Sequence, residues 1–137
     1  MMATIKTLIG NLKSSSYDTY STNETIVGKW INGKPIYRKT VEFSTSTLHA
    51  GENYVSHGLQ NIELLMVNKN WSFLVDDHDG VVSVWQLGNS VNGDISSFSQ
   101  YSCNIVWTNA STISIYIGSG LSPKKVIITF EYTKTTD

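Results

Sequence analysis

The sequence predicts an all-β domain, an antiparallel β-sandwich or jelly-roll-like fold preceded by a short extended N-terminal peptide. Ser, Thr and Asn make up 43 of the 137 residues, a composition that suits exposed strand faces and turns. Short β-branched and aromatic runs recur along the chain, and Asn- or Gly-containing turn signals separate them. The sequence shows neither coiled-coil heptads nor a convincing long helix, so a helical bundle is excluded.

The first twenty residues differ from the rest of the chain and predict an anchor peptide followed by a linker. Residues 14–20 begin with a serine run, which offers nothing to bury and is typical of a tether. The preceding peptide, residues 1–13, is too short to form a core, so it is either a disordered tail or a segment that adds to another protein's surface. Its large apolar side chains are Ile5, Leu8, Ile9 and Leu12.

Seven or eight short strands are predicted in the remaining domain, residues 21–137. The predicted strands span residues 25–31, 35–43, 62–67, 71–75, 81–87, 101–107, 112–117 and 125–133. Asn32 and Gly33 lie between the first two, and both residue types accept the positive φ of a type I′ hairpin turn. In the last strand, alternation directs one set of side chains to a common face: Val126, Ile128, Phe130 and Tyr132.

Charge and composition exclude several classes of protein. Ten Lys and Arg against eleven Asp and Glu give a net charge of -1, whereas a dedicated nucleic-acid binder would show a basic excess. No window approaches the length of an apolar membrane span, so we expect no membrane insertion. The single cysteine, Cys103, cannot form an internal disulfide and is interpreted as a small packing residue.

An acidic stretch at residues 76–80 is the densest polar cluster in the sequence. Asp77 and Asp79, followed by Gly80, resemble the opening of a calcium-binding loop, but the downstream bidentate glutamate of such loops is absent. Because the stretch lies between two predicted strands, a hairpin turn is the favoured interpretation and a metal site the alternative.

Candidate catalytic residues do not form a recognisable pattern. The three histidines show no metal-ligand spacing, and the sequence contains no nucleophile elbow or phosphate-binding loop. We therefore expect no enzyme and no cofactor. Several glutamates could supply a glycosidase pair, but the sequence places no two of them together, so a glycan-degrading enzyme is a minor alternative.

Two tryptophans flank the acidic stretch and are candidates for contact with a sugar or receptor. Trp71 and Trp85, with Asp77 and Asp79, would offer stacking rings beside hydrogen-bonding carboxylates. The alternative for these rings is core packing, since they lie within predicted strands.

Three segments carry a resemblance to a module of bacteriophage virion proteins, and we call them the motif segments. They are Tyr20–Thr40 (YSTNETIVGKWINGKPIYRKT), Val55–Ile62 (VSHGLQNI) and Val126–Asp137 (VIITFEYTKTTD). The first is similar to the pattern Tyr-Ser-Thr-x-Glu followed by Val-Gly-x-Trp-x-x-Gly-Lys-Pro-Ile-Tyr-x-Lys. The peptide ATIKTLIGNLK at residues 3–13 also resembles the opening of phage head- and tail-fibre proteins. Such openings often precede a collagen-like stalk, which this sequence lacks.

The resemblance implies a structural protein of the virion surface, made in the cytoplasm of the bacterial host. The all-β domain would be displayed outward, commonly as a homotrimer, for adhesion to a host-surface glycan or protein. The N-terminal peptide would attach it to other virion proteins of the capsid or tail. Capsid decoration or stabilisation without receptor binding is the alternative. The resemblance supplies no catalytic residues.

Overall fold

The computed structural model describes residues 20–44, 46, 48–78, 80–89 and 101–137. This part of the chain is all-β, and its curled sheets form a half-barrel compatible with the predicted β-sandwich. Its only helical elements are 3-10 turns, and it contains no α-helix. The candidate anchor residues Ile5, Leu8, Ile9 and Leu12, and Asp79 of the acidic stretch, lie outside the described residues.

Ten strands occur in the described residues, and they form two sheets. In chain order they are β1 (Thr25–Lys29), β2 (Pro35–Ser44), β3 (Gly51–Ser56), β4 (Ile62–Val67), β5 (Phe73–His78), β6 (Val81–Gln86), β7 (Gly88–Asn89), β8 (Cys103–Thr108), β9 (Thr112–Ile117) and β10 (Pro123–Lys134). A 3-10 turn, Lys69–Trp71, connects β4 to β5.

The first sheet is organised around β10, its longest strand. The strand order is β1-β2-β10-β5-β6, and β4 lies on the same edge of β10 as β5. Strand β5 pairs with the beginning of β10 and β4 with its end, so the two follow one another along one edge. The second sheet has the order β3-β9-β8-β7 and is antiparallel except for the short β7–β8 pairing.

The hydrophobic core lies against one face of β10, as the alternation predicts. Val126, Ile128, Phe130 and Tyr132 are almost completely buried in a single cluster with the isoleucines of β9. Because neighbouring side chains point to opposite faces of a sheet, the other β10 residues define an outer face. The largest buried polar group on that face is Arg38, whose guanidinium donates hydrogen bonds to the Glu131 carboxylate at 2.6 and 2.9 Å.

The edge that β4 and β5 share on β10 has a gap between the two strands, and Ser72 fills it. Ser72 is fully buried, and its hydroxyl donates to the carbonyl of Asn68 at 2.7 Å. The same hydroxyl accepts a hydrogen bond from the backbone N–H of Thr129 at 3.2 Å. A side chain therefore replaces the strand carbonyl that this N–H would otherwise need.

The first hairpin occurs where Asn32 and Gly33 predict it, but the predicted turn type is wrong. The loop spans residues 31–33, and Trp30 donates its N–H to the Lys34 carbonyl across it. Only Gly33 has a positive φ, at 86°, whereas a type I′ turn needs two such residues. The Asn32 side chain instead accepts a hydrogen bond from the Lys34 N–H at 3.0 Å, which favours the longer loop.

The acidic stretch contains the predicted hairpin, but most of it is strand rather than loop. Strand β5 continues through His78, which pairs with Val81, so the connection is only two residues long. Gly80 has a φ of 81°, a turn conformation that glycine adopts without steric cost. Asp76 and Asp77 are therefore consecutive strand residues that point to opposite faces of the sheet.

Strand β3 is a strand that the sequence pattern does not predict, because a polar residue occupies one of its core positions. Asn53 is 2% exposed. Its side-chain amide donates to the carbonyls of His49, Gly51 and Ile115 and accepts from the His49 N–H. These bonds satisfy the buried amide, so the position tolerates a residue that a hydrophobic pattern would not include.

We expect Ser72→Ala to lower the free energy of unfolding by about 1–3 kcal/mol, because it leaves the buried Thr129 N–H without an acceptor. The measurement is urea unfolding followed by tryptophan fluorescence. Ser56→Ala is the matched control, since Ser56 is exposed on β3 and its change should cost less than about 0.5 kcal/mol. Equal losses in the two variants would show that the Ser72 hydroxyl does not bridge the gap.

Candidate functional site

The outer face of the first sheet carries exposed apolar side chains at the β5–β6 end. Val82 is 59% exposed and Val84 63% exposed. Across β5, Phe73 and Val75 lie half-buried on the same face, because Val75 is the cross-strand partner of Val84. We call these four residues the outer apolar face. Contiguous exposed apolar surface of this kind is typical of a protein–protein contact.

The edge strand β6 reinforces this interpretation. Its sequence, VVSVWQ, contains no charged residue and no proline. The opposite edge strand, β1, has a β-bulge between Ile26 and Gly28 and ends at Lys29. Bulges and lysines are common devices that prevent edge strands from pairing with other chains. Among the described residues, edge β1 thus carries both of these protective features and β6 carries neither.

The structure does not bring the two candidate tryptophans together. Trp71 stacks on Tyr20, with ring centroids 4.2 Å apart, and contacts the edge of Phe73 on the outer face. Trp85 is the cross-strand partner of Leu74, a core residue, and therefore belongs to the inner face. Both rings are partly exposed, at 44% and 39%, but on opposite sides of the sheet. Their role in ligand contact stays a prediction.

The acidic side chains near these rings are also separated. Asp76 is buried and accepts a hydrogen bond from the Ser122 N–H, whereas Asp77 forms an ion pair with Lys124 at 3.3 Å. Within the described ranges, no three His, Cys, Asp or Glu residues lie close enough together to hold a metal ion. The same part of the chain contains no helix long and apolar enough to cross a membrane.

A second candidate site is a polar pocket of about 310 Å³. Residues from β2, β10, the segment before β1 and the connection from β3 to β4 line it. They are Glu24, Lys39, Gly58, Leu59, Gln60, Asn61, Tyr132 and Lys134. All eight belong to the three motif segments, which are distant in the sequence and meet here. By contrast, no residue of the outer apolar face belongs to a motif segment.

Glu24, Tyr132 and Lys134 form a linked set of hydrogen bonds at one side of the pocket. The Lys134 ammonium and the Tyr132 phenol each donate to the Glu24 carboxylate at 2.5 Å. Burial opposes the charge of Glu24, but the hydrogen bonds from Lys134 and Tyr132 outweigh it and hold the pKa of Glu24 below its usual value. Burial and the bond to Glu24 raise the pKa of the Tyr132 phenol, which therefore stays neutral.

Lys39 supplies the remaining charge of the pocket. Its position on β2 faces inward, since its cross-strand partner is the core residue Phe130. Lys39 forms no hydrogen bond or ion pair within the described part of the chain, although its charge helps to lower the pKa of Glu24. Because Lys134 balances Glu24, the pocket carries about one net positive charge.

The other candidates for catalysis, His57, Cys103 and Glu63, are held in structural contacts or are buried. His57 is 2% exposed; its Nδ1 accepts from the Leu59 N–H, and its Nε2 lies 2.9 Å from the Asn109 carbonyl. Burial raises the pKa of the Cys103 thiol to about 11, so it is not a nucleophile at neutral pH. The Lys34 ammonium bonds the Glu63 carboxylate and lowers its pKa, the reverse of what a general acid needs.

No sequence pattern indicated the polar pocket, because its residues come from three separate segments. Lys39 occupies an inward position of a strand, where alternation alone suggests an apolar residue. Gln60 and Asn61 lie in an ordinary turn-like connection. The one available signal was that these residues fall within the motif segments.

Comparison with known protein families, with curated proteins and with solved structures finds no match for this chain.

We expect Glu24→Gln to reduce stability at pH 7 by at most about 1 kcal/mol, because the partly exposed carboxylate loses its charged partners. The folded-state pKa of Glu24 is lowered, so its contribution is present above its ordinary value of 4.5 and is lost as the pH falls through the folded value. Urea unfolding at pH 7 and pH 3 measures this difference. Glu42→Gln, an exposed change on β2, is the control. A Glu24→Gln deficit that is unchanged at pH 3 would contradict the electrostatic explanation.

Proposed function

We propose that this chain is a structural protein of a bacteriophage particle surface, a head- or tail-fibre type protein that displays its β domain for adhesion to the host. Its N-terminal peptide, with Ile5, Leu8, Ile9 and Leu12, attaches it to other virion proteins. The domain forms a homotrimer and performs no catalysis. The proposed site of action is the virion, after synthesis in the host cytoplasm.

The observation that carries the proposal is the resemblance of the three motif segments to phage virion proteins. The structure adds that these segments are neighbours in space: the β1–β2 hairpin, the connection after β3, and β10 share one end of the first sheet. A resemblance that involves contacting segments is more informative than three scattered matches, because the segments form one structural unit.

The outer apolar face supports the proposed homo-oligomer. Val82 and Val84 expose more than half of their surface, which is unfavourable for a chain that stays alone in water. Burying this face against neighbouring copies removes it from solvent. The β6 edge, whose own residues include neither a lysine nor a bulge, lies beside the same face and favours the same contact.

Capsid decoration without receptor binding remains the second candidate, because the outer apolar face would serve equally well for packing against a capsid. The two functions differ in what a particle loses when the protein is absent. Loss of host adsorption with unchanged heat stability supports adhesion, and the reverse result supports decoration.

We expect deletion of residues 3–13 to abolish attachment to the particle and to leave the domain folded, because the buried core cluster consists of residues from Phe43 onward. The measurement is co-sedimentation of the purified chain with particles that lack it, with circular dichroism as the folding check. Shortening the serine run by one residue is the control and should preserve attachment. Normal attachment of the deleted chain would overturn the anchor assignment.

We expect the wild-type chain to sediment as a trimer and Val84→Lys to dissociate it at least about tenfold more readily, because a lysine at a buried interface must be desolvated. Analytical ultracentrifugation over a concentration series measures this. Ile31→Lys is the matched control, since Ile31 is 93% exposed at the hairpin tip, away from the outer apolar face. A wild-type chain that stays monomeric at high concentration would refute the oligomer.

A further inference from the structure

We propose that the polar pocket binds an acidic sugar, a hexose ring that carries a carboxylate or phosphate, and that Lys39 contacts its anionic group. The inference rests on the proposed adhesion function and specifies its ligand class. It assigns recognition to a different site from Trp71 and Trp85.

Charge complementarity is the first reason. The only carboxylate that lines the pocket, Glu24, is bonded to Lys134 and Tyr132. The ammonium of Lys39 is left without an acceptor among the described residues. A half-buried cation in a cleft is favourably completed by an anion, because a charge-assisted hydrogen bond is stronger than a neutral one.

Size and polarity indicate a sugar rather than a simple anion. The pocket volume of about 310 Å³ is at the lower end of the range for small-molecule sites. The side-chain amides of Gln60 and Asn61 have no hydrogen-bond partner in the described part of the chain, and both lie at the rim. Each amide can donate and accept, which is the pairing that ring hydroxyls need.

The backbone of the rim gives these amides a defined position. Gly58 and Asn61 both adopt positive φ, at 69° and 56°. The Asn61 carbonyl accepts from the N–H of Thr135 at 2.8 Å, which ties the rim to the residues after β10. The two amides are therefore presented from a loop that is held at both ends, since the preceding His57 is buried and hydrogen-bonded.

The pocket remains accessible in the proposed oligomer. Lys39 and Tyr132 point to the inner side of the first sheet, whereas Val82 and Val84 lie on the outer face near its other end. Copies that associate through the outer apolar face would leave the pocket open to a ligand.

The test titrates the full chain with glucuronate, glucose 6-phosphate and glucose, and follows backbone amide signals by ¹H–¹⁵N NMR. We expect at least one acidic sugar to shift the amides of residues 58–61 and glucose to bind at least about tenfold more weakly. Lys39→Gln should weaken the acidic sugar about tenfold. Lys125→Gln removes the same charge roughly 17 Å away, because Lys125 lies five residues along β10 from Phe130, the cross-strand partner of Lys39, and it should not change binding.

A second variant keeps the proposal testable if Lys39→Gln perturbs folding. Asn61→Gly retains the positive φ and removes the amide, so it should also weaken the acidic sugar. Absence of shifts at residues 58–61, or equal binding of glucose, would overturn the proposal. Equal shifts from acetate would do the same, because they would show that the ring makes no contribution.

The outcome separates this inference from the proposed function. Sugar binding by a chain that does not attach to particles would leave the pocket assignment intact and refute the virion role. Attachment to particles without sugar binding would refute the pocket and preserve the virion role.

Discussion

The pairing of β10 with three other strands is the constraint on which the rest of the structure depends. One edge of β10 is occupied by β2 and the other by β5 and β4 in succession, so one strand fixes the register of three. A slip of one residue would exchange the core face with the outer face. The burial of Val126, Ile128, Phe130 and Tyr132 opposes such a slip, because it would move all four aromatic and aliphatic side chains out of the core.

Polar contacts near the middle and at the end of β10 strengthen this register. Near its middle, the Ser72 hydroxyl completes the ladder at Thr129. At its end, the pairs Lys134–Glu24 and Lys34–Glu63 lie on either side of the strand, and the Lys34 ammonium also donates to the Lys134 carbonyl. The same ionic contacts leave Lys39 as the unmatched charge of the polar pocket. The same ion pairs therefore help to fix the register of β10 and determine which charge of the pocket is unmatched.

The sequence was sufficient for the fold class and for most strands, because strand alternation and turn residues are local signals. The faces of β10 and β2 follow directly from their alternation. The sequence was insufficient where a tertiary contact replaces a local preference. Asn53 makes β3 look polar because its partners are backbone groups on other segments. The aspartates of the acidic stretch look like a loop, because the neighbouring sequence does not reveal that Asp76 accepts a hydrogen bond from the distant Ser122 N–H.

The candidate site is even harder to predict from the sequence, because it depends entirely on tertiary contacts. Trp71 and Trp85 are candidates because they flank the acidic stretch in the sequence, yet neighbouring strands can present such residues on opposite faces. Lys39, Gln60 and Tyr132 come together only in the folded chain, so no local pattern marks them as parts of one site. A site assembled from distant segments requires the topology, and the resemblance of those segments was the only sign that they belong together.

The environment of Cys103 has a consequence for durability. On the particle surface proposed above, neighbouring copies would lie at high local concentration and in contact with oxygen. An exposed thiolate under those conditions would form disulfides between copies or oxidise to sulfenic and sulfonic acids. Cys103 is 5% exposed and stays protonated, so it offers oxidants neither access nor the reactive form. The single cysteine of the chain is therefore poorly reactive toward oxidation and toward disulfide formation between copies.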